Sequence, residues 1–287
     1  MHPRTFRFAV VAALAPTAQA WQETALRAEE LGYDTLLAPD TMTTLEPFTA
    51  LSAAATATER LRVGTFVLPV PFYPPSEITW RALALDLLSG GRFDLGLGAG
   101  RPGAEGEVVH RERRFGTAAE RVKQLSDAIP IIKEEMAAAA SSRSPLKPVQ
   151  KPHPPILVAA SGPKMFQLAA AEADILTLGL GPRTTEEGLA AKVAELRAIA
   201  GERFDDLELS YNLSGVGTEL PAFLSQQMGV DPAELLRIKA PAILTGTPRE
   251  MADTLRRRRD ELGISYIAVN GMFLEQLAPV VEMLAGT

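Results

Sequence analysis

Short runs of β-branched and aliphatic residues alternate with helical patterns about eight times along this chain of 287 residues. Such alternation is typical of parallel strands joined by crossover helices, and roughly 250 residues is the usual length of one eight-stranded barrel. We therefore predict an α/β fold, a (β/α)8 TIM barrel that occupies residues 1–287 as a single domain. Its strands are expected at FRFAVV, YDTLLA, RVGTFVL, FDLGLGAG, ILVAAS, DILTLGL, LELSYNLS and YIAVN.

Two segments fall outside this alternation of strands and helices. Residues 141–155, SSRSPLKPVQKPHPP, are rich in Ser, Pro and Lys, and we predict a loop there. After strand seven we predict an insertion from about Glu219 to Leu244 with short helices of its own. A capping box over residues 247–250, with proline in the first turn, is expected to begin the next helix.

The N-terminal 21 residues have two interpretations. Two arginines, an apolar stretch and Ala18-Gln19-Ala20 imitate a secretory signal with its cleavage site. The same residues are also typical of a barrel strand followed by a helix. We favour the strand, because cleavage after Ala20 would remove an element that the closed sheet needs. A cysteine-free chain shows no export signature, so we expect a cytoplasmic protein.

Charge and composition favour a small-molecule partner. The net charge of −6 argues against broad attraction to nucleic acid or anionic lipid, either of which would need a basic face. The sequence has no apolar run near the roughly 18 residues of a membrane span, so no membrane partner is expected. The absence of cysteine excludes disulfides, thiolate nucleophiles and cysteine-bound metals.

In a (β/α)8 barrel the catalytic groups follow the C-terminal ends of the strands. Few side chains at these positions titrate near neutral pH, and of the three histidines only His110 is able to reach the rim. For His110 a solvated loop position is favoured over a catalytic base, because no orienting carboxylate is identifiable. The residues that follow the predicted strands are Asp40, Thr65, Gly98 to Arg101, Ser161, Gly179, Gly181, Arg183, Asn212 and Asn270.

Three further patterns have competing interpretations. Ser161 to Lys164 has the S-x-x-K spacing of serine acyl enzymes, but serine and proline at a helix start fit a phosphate-binding turn better. Arg256 to Arg259 fits a solvated, ion-paired helix face better than a binding patch. The glycine-rich rim suits an anionic cofactor held by backbone amides, and glycines also serve tight turns between strand and helix.

Four segments carry a resemblance to a known family. They are AEELGYDTLLAPD (28–40), ATERLRVGTFVL (57–68), LDLLSGGRFDLGLGAG (85–100) and KPHPPILVAASGPKM (151–165). Together they resemble the luciferase-like monooxygenase superfamily, in particular its branch of oxidoreductases that use the deazaflavin coenzyme F420. The resemblance covers nearly the whole chain.

This resemblance implies a homodimer of barrels, each holding the cofactor ring in its mouth and the cofactor phosphate near strands four to six. It also implies a non-prolyl cis peptide at the end of strand three, where the matching bond is Phe66-Val67. Asp40 matches an acidic position beside the ring and is the candidate catalytic residue, with capping of the following turn as the other interpretation. The expected cofactor-binding residues are Asp40, Thr65, Phe66, Val67, Gly98, Ala99, Gly100, Ser161, Gly162, Gly179 and Gly181.

The chain departs from the family pattern at several positions. Thr41 stands where many relatives have histidine, which argues against a histidine-assisted proton transfer. Arg101 and Leu180 stand where sugar-phosphate-oxidising relatives have an acid and a lysine, so that substrate class is not expected. We assign Arg101, His110 and Asn212 to the substrate pocket and expect no metal.

The main functional hypothesis is an oxidoreductase that transfers a hydride between coenzyme F420 and an unidentified small organic substrate. In this hypothesis the barrel supplies orientation and the cofactor supplies reactivity. The first alternative is an FMN-dependent flavin monooxygenase on the same barrel. The second is a barrel that binds a ligand without turnover, which the shortage of acid and base residues permits.

Overall fold

The structure is a computed structural model that describes residues 4–101, 103–110, 114–141, 143–221 and 229–287, without the side chains of residues 108–110. The strands are β1 (Arg7–Val11), β2 (Thr35–Ala38), β3 (Arg62–Thr65), β4 (Leu68–Pro69), β5 (Phe93–Gly98), β6 (Ile156–Ala160), β7 (Ile175–Leu178), β8 (Glu208–Leu213), β9 (Gly215–Val216), β10 (Ile243–Leu244) and β11 (Ile264–Asn270). The α-helices are α1 (Ala18–Glu30), α2 (Pro47–Ala57), α3 (Pro75–Leu88), α4 (Glu105–His110), α5 (Ala118–Ser141), α6 (Pro163–Glu172), α7 (Glu186–Ala200), α8 (Pro232–Arg237), α9 (Pro248–Leu262) and α10 (Leu274–Leu284).

The sheet closes on itself as a parallel barrel. Its strand order is β3-β2-β1-β11-β8-β7-β6-β5-β4, and β5 also pairs with β3, which completes the ring. Strand three of the prediction is divided into β3 and β4, which flank a cis peptide bond between Phe66 and Val67. Counting β3 and β4 as one, eight parallel strands form the barrel, so the predicted (β/α)8 fold is confirmed.

Two hydrophobic cores follow from the alternation of side chains along each strand. The larger core lies between the strands and the surrounding helices. The smaller core fills the interior of the barrel, where Phe66 and Val67 pack against it on the side of the mouth. Its buried members are Ala9, Leu37, Leu157, Ile175, Tyr266 and Ala268.

Local sequence signals account for where several helices begin. Thr17 caps α1 through a hydrogen bond from the amide of Ala20, and Thr247 with Glu250 forms the predicted capping box of α9. Helix α4 was not predicted, because its segment contains glycine and lacks the 3.6-residue apolar repeat of a longer helix.

The irregular segments also follow the prediction. Residues 143–155 contain neither helix nor strand, and the buried carboxylate of Asp86 holds this loop by accepting hydrogen bonds from the amides of Val149 and Gln150. In the described part of the insertion after strand seven, α8 and β10 are present and β10 pairs with β9, while residues 222–228 of the predicted insertion lie outside the described residues. Arg256 to Arg259 were predicted to form a solvated, ion-paired helix face. This prediction is wrong for Arg258, which is buried between Glu186 and Tyr211.

The residues that imitate a secretory signal contribute a strand to the barrel. β1 pairs with β2 on one side and with β11 on the other. Across the described ranges, no helix is both long and apolar enough to cross a membrane.

Candidate functional site

Two adjoining cavities open at the mouth, where the C-terminal ends of the strands meet the following loops. The first has a volume of about 440 Å³, lies over the ends of β2 to β6, and is called the charged compartment here because Asp40, Arg101, Glu107 and Arg121 line it. The second has a volume of about 320 Å³ and lies over the ends of β6 to β8. None of its lining residues is charged, so it is called the uncharged compartment. The shared wall consists of Phe66, Ala159 and Ser161.

Asp40 lies in the wall of the charged compartment, directly after β2. Its side chain is buried, and its Oδ2 accepts a hydrogen bond of 2.7 Å from the hydroxyl of Tyr73. The turn that follows is closed by Thr44, whose hydroxyl donates to the carbonyl of Thr41. Asp40 therefore presents a fixed carboxylate where the sequence predicts a polar group beside the reacting centre.

Glu107 is a second carboxylate of this compartment, contributed by α4. It forms an ion pair with Arg101, and its Oε2 accepts a hydrogen bond of 3.3 Å from the amide of Met42. Glu107 therefore connects the loop after β2 with the loop after β5. The sequence prediction missed Glu107 because it lies nine residues beyond the end of its strand at Gly98.

The apolar wall of the charged compartment contains the cis bond. Phe66 and Val67, together with Pro69 and Phe72, line this cavity. The cis peptide that the resemblance implied is thus present at the Phe66-Val67 bond, on the floor of the mouth. Apolar side chains at this depth exclude water from a bound planar group.

Most of the rim glycines make room for the protein itself. A Cβ on Gly98 would lie 2.6 Å from Cγ2 of Val67, a Cβ on Gly100 would lie 2.9 Å from the ring of Phe115, and a Cβ on Gly179 would lie 2.9 Å from Cβ of Ser161. These glycines permit close packing around the loops after β5 and β7. Their presence is therefore not by itself a sign of a bound ligand.

Gly162 differs from the other rim glycines. It has a φ of +86°, and a Cβ there would meet no atom within 4 Å. It precedes α6, whose first turn has no side-chain cap. Open space beside uncapped amides at a helix N-terminus is suited to an anion.

Three predicted site residues, Thr65, Gly162 and Gly181, line neither cavity, although Gly162 follows Ser161, which lines both. The hydroxyl of Thr65 exchanges two hydrogen bonds of 2.8 Å with the backbone of Gly96, so it joins β3 to β5. Gly181 lies next to the uncharged compartment but does not line it. His110 ends α4, and its side chain lies outside the described part of the structure.

The uncharged compartment is built from β6, β7 and β8. Asn212 lines it, as predicted for the substrate pocket, and the buried Oδ1 of Asn212 has no hydrogen-bond partner among the described residues. Thr177 and Ser214 add hydroxyl groups to a lining that is otherwise mostly apolar. Such a cavity fits a small uncharged group with few polar atoms.

The described part of the chain contains no cluster of three or more histidine, aspartate or glutamate side chains that could hold a metal ion. Within that part, the mouth offers two carboxylates, Asp40 and Glu107, and two guanidinium groups. This inventory suits the binding and orientation of a reactive cofactor more than hydrolysis by the protein alone.

Comparison with known proteins identifies the family. The model of the luciferase-like monooxygenase family matches residues 5–216. The chain belongs to this family. The match extends from β1 through β9, so it includes both compartments except for the contribution of Ala242.

Individual relatives of this luciferase-like chain include enzymes with different cofactors. An F420-dependent glucose-6-phosphate dehydrogenase of Amycolatopsis mediterranei is 28% identical over 275 residues, which are 86% of this chain and 78% of that relative. The oxygenase component of a flavin-dependent trigonelline monooxygenase of Acinetobacter baylyi is 28% identical over 175 residues, which are 56% of this chain and only 46% of that relative.

Solved structures support the fold of this luciferase-like chain. The coenzyme F420-dependent tetrahydromethanopterin reductase from Methanopyrus kandleri superposes with a TM-score of 0.74, at 14% identity, over 98% of this chain and 99% of that one. At this level of identity the likeness shows the barrel alone.

Proposed function

We propose that this luciferase-like enzyme transfers a hydride between the deazaflavin coenzyme F420 and a small organic substrate. The observation that carries the proposal is the divided mouth, with the cis bond at Phe66-Val67 in the wall of one compartment and an uncharged compartment beside it. The longer match to the F420-dependent relative also supports it.

The residues present fit such a cofactor. Gly162 leaves open space at the uncapped start of α6, and the neighbouring Ser161 lines both compartments. In this proposal the backbone at Ser161 and Gly162 binds the cofactor phosphate, because helix N-termini favour anions. Phe66 and Val67 back the ring.

The bound deazaflavin would supply the hydride-transferring carbon, which no amino-acid side chain offers. Asp40, held by Tyr73, provides a fixed carboxylate oxygen that can take a proton from the substrate. The amide of Asn212 orients polar atoms of the substrate in the uncharged compartment. The apolar wall excludes water from between the reacting groups.

Titration of the apo-protein with F420 and with FMN tests this proposal. The fluorescence of each cofactor ring is the appropriate signal, because Trp21 is buried between α1 and α2 and Trp80 lies exposed on α3, so neither tryptophan lines the mouth. We expect F420 to bind at least tenfold more tightly than FMN. Tight FMN binding without a response to F420 would reject the proposal.

Gly162→Asp tests the phosphate position directly. Aspartate tolerates positive φ better than most residues, and its carboxylate would compete with a phosphate at the start of α6. We expect F420 affinity to fall at least tenfold with little loss of stability. Gly90→Asp is the matched control, because Gly90 also has positive φ and open space but lies before β5, away from the mouth. Equal effects of the two variants on affinity would contradict the phosphate assignment.

An FMN-dependent monooxygenase is the second candidate, and the identity with the flavin-dependent relative favours it. The two candidates differ in whether the reduced, protein-bound cofactor reacts with oxygen. Oxygen consumption by the protein loaded with reduced FMN, coupled to oxygenation of an added organic compound, would favour the monooxygenase. A barrel that binds without turnover predicts that neither cofactor binds.

We further propose a cytoplasmic homodimer that associates through α2 and α3. Trp80 and Leu88 are 65% and 59% exposed, and they line a shallow groove of about 490 Å³ with the small residues Ser52 and Ala84. Large exposed apolar side chains beside small ones suit helix packing against a second copy. Trp80→Glu is expected to yield a monomer in light-scattering measurements, whereas a mass unchanged from that of the wild type would refute this interface.

A further inference from the structure

Asn212 is a polar residue of the uncharged compartment whose side chain has no partner within the described protein. Because side chains alternate along a strand, Asn212 faces the barrel interior from β8, whereas Tyr211 faces the helices and bonds Arg258. The Oδ1 atom of Asn212 is buried, yet no donor of the described residues bonds to it. A buried carbonyl oxygen without a hydrogen bond is costly in a folded protein, so its presence requires a reason.

Asn270 shows how the same residue type is bonded where its role is structural. It ends β11, the strand that pairs with β8, and its Oδ1 accepts a hydrogen bond of 3.1 Å from the amide of Met272. Asn270 lines neither compartment. Asn212 differs in both respects, because its side-chain amide lines a cavity and has no partner in the part of the chain that the structure describes.

Two hydroxyl groups near Asn212 also face the cavity. Thr177 lies on β7, which pairs with β8, and Ser214 directly follows the end of β8. Both residues line the uncharged compartment, and neither hydroxyl forms a hydrogen bond with the described residues. On its β7–β8 side the compartment therefore offers a carbonyl acceptor, an amide donor and two hydroxyl groups to an occupant.

The first charged residues after β7 are paired with other protein side chains. Arg183, in the loop after β7, donates to both carboxylate oxygens of Glu234 in α8, at 2.8 and 3.2 Å. Glu186, in the first turn of α7, pairs with the buried Arg258. A charged ligand group would find no counter-ion among the residues that line the uncharged compartment, and a buried charge is costly unless it is paired. This compartment therefore favours a neutral group.

We infer that the uncharged compartment selects substrates with a neutral O–H or N–H donor, an alcohol or a carboxamide, and that Asn212 determines this specificity. Oδ1 of Asn212 accepts the donor, while its Nδ2 and the hydroxyls of Thr177 and Ser214 are able to bond the oxygen atom of the same group. A site built to bond such a group rejects an analogue that lacks it, because the polar atoms of the site are then left unpaired. The inference rests on the proposed function in taking this compartment as the substrate side of the mouth.

Binding of matched probe ligands tests the inference without turnover. Benzyl alcohol, benzyl methyl ether and benzoate share one ring and present, in turn, a neutral donor, no donor and an anion; benzamide and N,N-dimethylbenzamide form a second pair. Their dissociation constants are measured by ligand-observed NMR on the F420-loaded protein. Leaving a buried acceptor unpaired corresponds to a roughly 5- to 100-fold change in affinity. We expect benzyl alcohol to bind more tightly than the ether and benzoate by this factor, and benzamide more tightly than its dimethyl analogue.

Two variants of Asn212 separate recognition of a donor from the shape of the cavity. Asn212→Leu keeps the branching and the number of side-chain heavy atoms but removes the polar atoms, so the preference for the alcohol over the ether should fall to within about twofold. Asn212→Asp adds a negative charge, so it should bind protonated benzylamine about tenfold or more tightly than the wild type does.

Asn270→Leu is the matched control, since it is the same substitution on the neighbouring strand. It removes the hydrogen bond to Met272, so it should lower the Tm and leave every ligand preference unchanged. Thermal unfolding without ligand should show that Asn212→Leu, which loses no hydrogen bond within the described protein, has a Tm no lower than that of the wild type. A loss of Tm as large as that of Asn270→Leu would mean that Asn212 is bonded within the protein, against the inference.

Several outcomes would overturn the inference. Equal affinity of the wild type for benzyl alcohol and benzyl methyl ether is one, and a preference that survives Asn212→Leu is another. Tighter binding of benzoate than of the alcohol would show that the compartment accepts an anion, and binding of neither the alcohol nor the amide would show that it does not select such donors. Failure of the wild type to bind F420 would reject the proposed function instead, and the same ligand series on the protein without cofactor would still decide the role of Asn212.

Discussion

The two ends of the barrel use their charged residues differently. At the N-terminal end, Arg7, Arg62, Asp94 and Glu208 form a basal ion cluster in which every member is paired with another, with Arg7 bonded to Asp94 at 3.1 Å and to Glu208 at 2.6 Å. At the mouth, Arg121 has no such partner among the described residues. The basal charges are therefore neutralised within the protein, whereas the mouth holds a buried cation that is bonded only to backbone carbonyls.

The pKa of Arg7 illustrates the basal arrangement. Burial alone would lower it, but Tyr266, Asp94 and Glu208 together raise it above the ordinary arginine value. Arg7 also stacks on the ring of Tyr266 at 4.4 Å. The cation is therefore paired and stacked within the basal ion cluster and against Tyr266.

The largest expected effect comes from breaking the basal ion cluster. Asp94→Ala leaves Arg7 and Arg62 without their shared carboxylate, and removing one partner of a buried pair costs about 3–5 kcal/mol. The measurement is denaturant unfolding, with cofactor affinity expected to stay unchanged in the folded fraction. Asp127→Ala, which breaks an exposed pair with Lys123, is the control and should cost less than about 1 kcal/mol. A similar cost for the two variants would show that the basal ion cluster stabilises the fold no more than an exposed pair does.

A smaller effect is expected from Gly98→Ala at the mouth. The new Cβ would lie 2.6 Å from Cγ2 of Val67, and overpacking of this kind costs roughly 1–3 kcal/mol. Val67→Ala removes the obstructing methyl group, so the double variant should be more stable than the sum of the single changes predicts. If the changes in unfolding free energy of the two single variants add up to that of the double variant, packing against Val67 does not require glycine at position 98. The space beside Gly98 would then be open to a ligand.

The sequence predicted the barrel and its insertion, and the family resemblance implied the cis bond, because strand patterns and family segments are local along the chain. It predicted less of the mouth. The glycine-rich rim was interpreted as suited to an anionic cofactor, but within the strand that leads to it a Cβ on Gly96 would lie 1.9 Å from the carbonyl oxygen of Thr65, so the neighbouring strand occupies that space. Glu107 and Arg121 were missed because they line the cavity from helices α4 and α5, and Tyr73 was missed because it bonds Asp40 from the segment between β4 and α3; only the folded chain brings these residues to the strand ends.

A still smaller effect is expected from Tyr73→Phe. This change removes the hydrogen bond to Asp40 and should lower the unfolding free energy by about 1 kcal/mol. Tyr33→Phe is the matched control, because the buried hydroxyl of Tyr33 donates to the carbonyl of Leu274 at 2.8 Å, far from the mouth. We expect Tyr73→Phe to change F420 affinity by less than threefold and Tyr33→Phe not to change it. A larger loss for Tyr73→Phe would mean that its hydroxyl contacts the ligand itself.

The smallest effect is expected near the basal end, at Glu29 of α1. Its carboxylate accepts hydrogen bonds from the amides of Arg60, Leu61 and Glu59 at 2.6, 2.7 and 3.1 Å, in the loop before β3. Burial alone would raise the pKa of Glu29, but these amides lower it below the ordinary value of 4.5. Because the pKa of the folded state is the lower one, this stabilisation is present above pH 4.5 and is lost as the pH falls through the folded-state pKa.

Glu29→Gln should therefore lower the unfolding free energy by roughly 0.5–1 kcal/mol at pH 7, and its difference from the wild type should shrink as the pH falls below 4.5. Urea unfolding at a series of pH values measures this difference. Glu30→Gln, which changes an exposed neighbour paired only with Arg27, should show a smaller effect. If the difference in unfolding free energy between the wild type and Glu29→Gln increases as the pH falls, the amides of the loop before β3 do not favour the charged carboxylate.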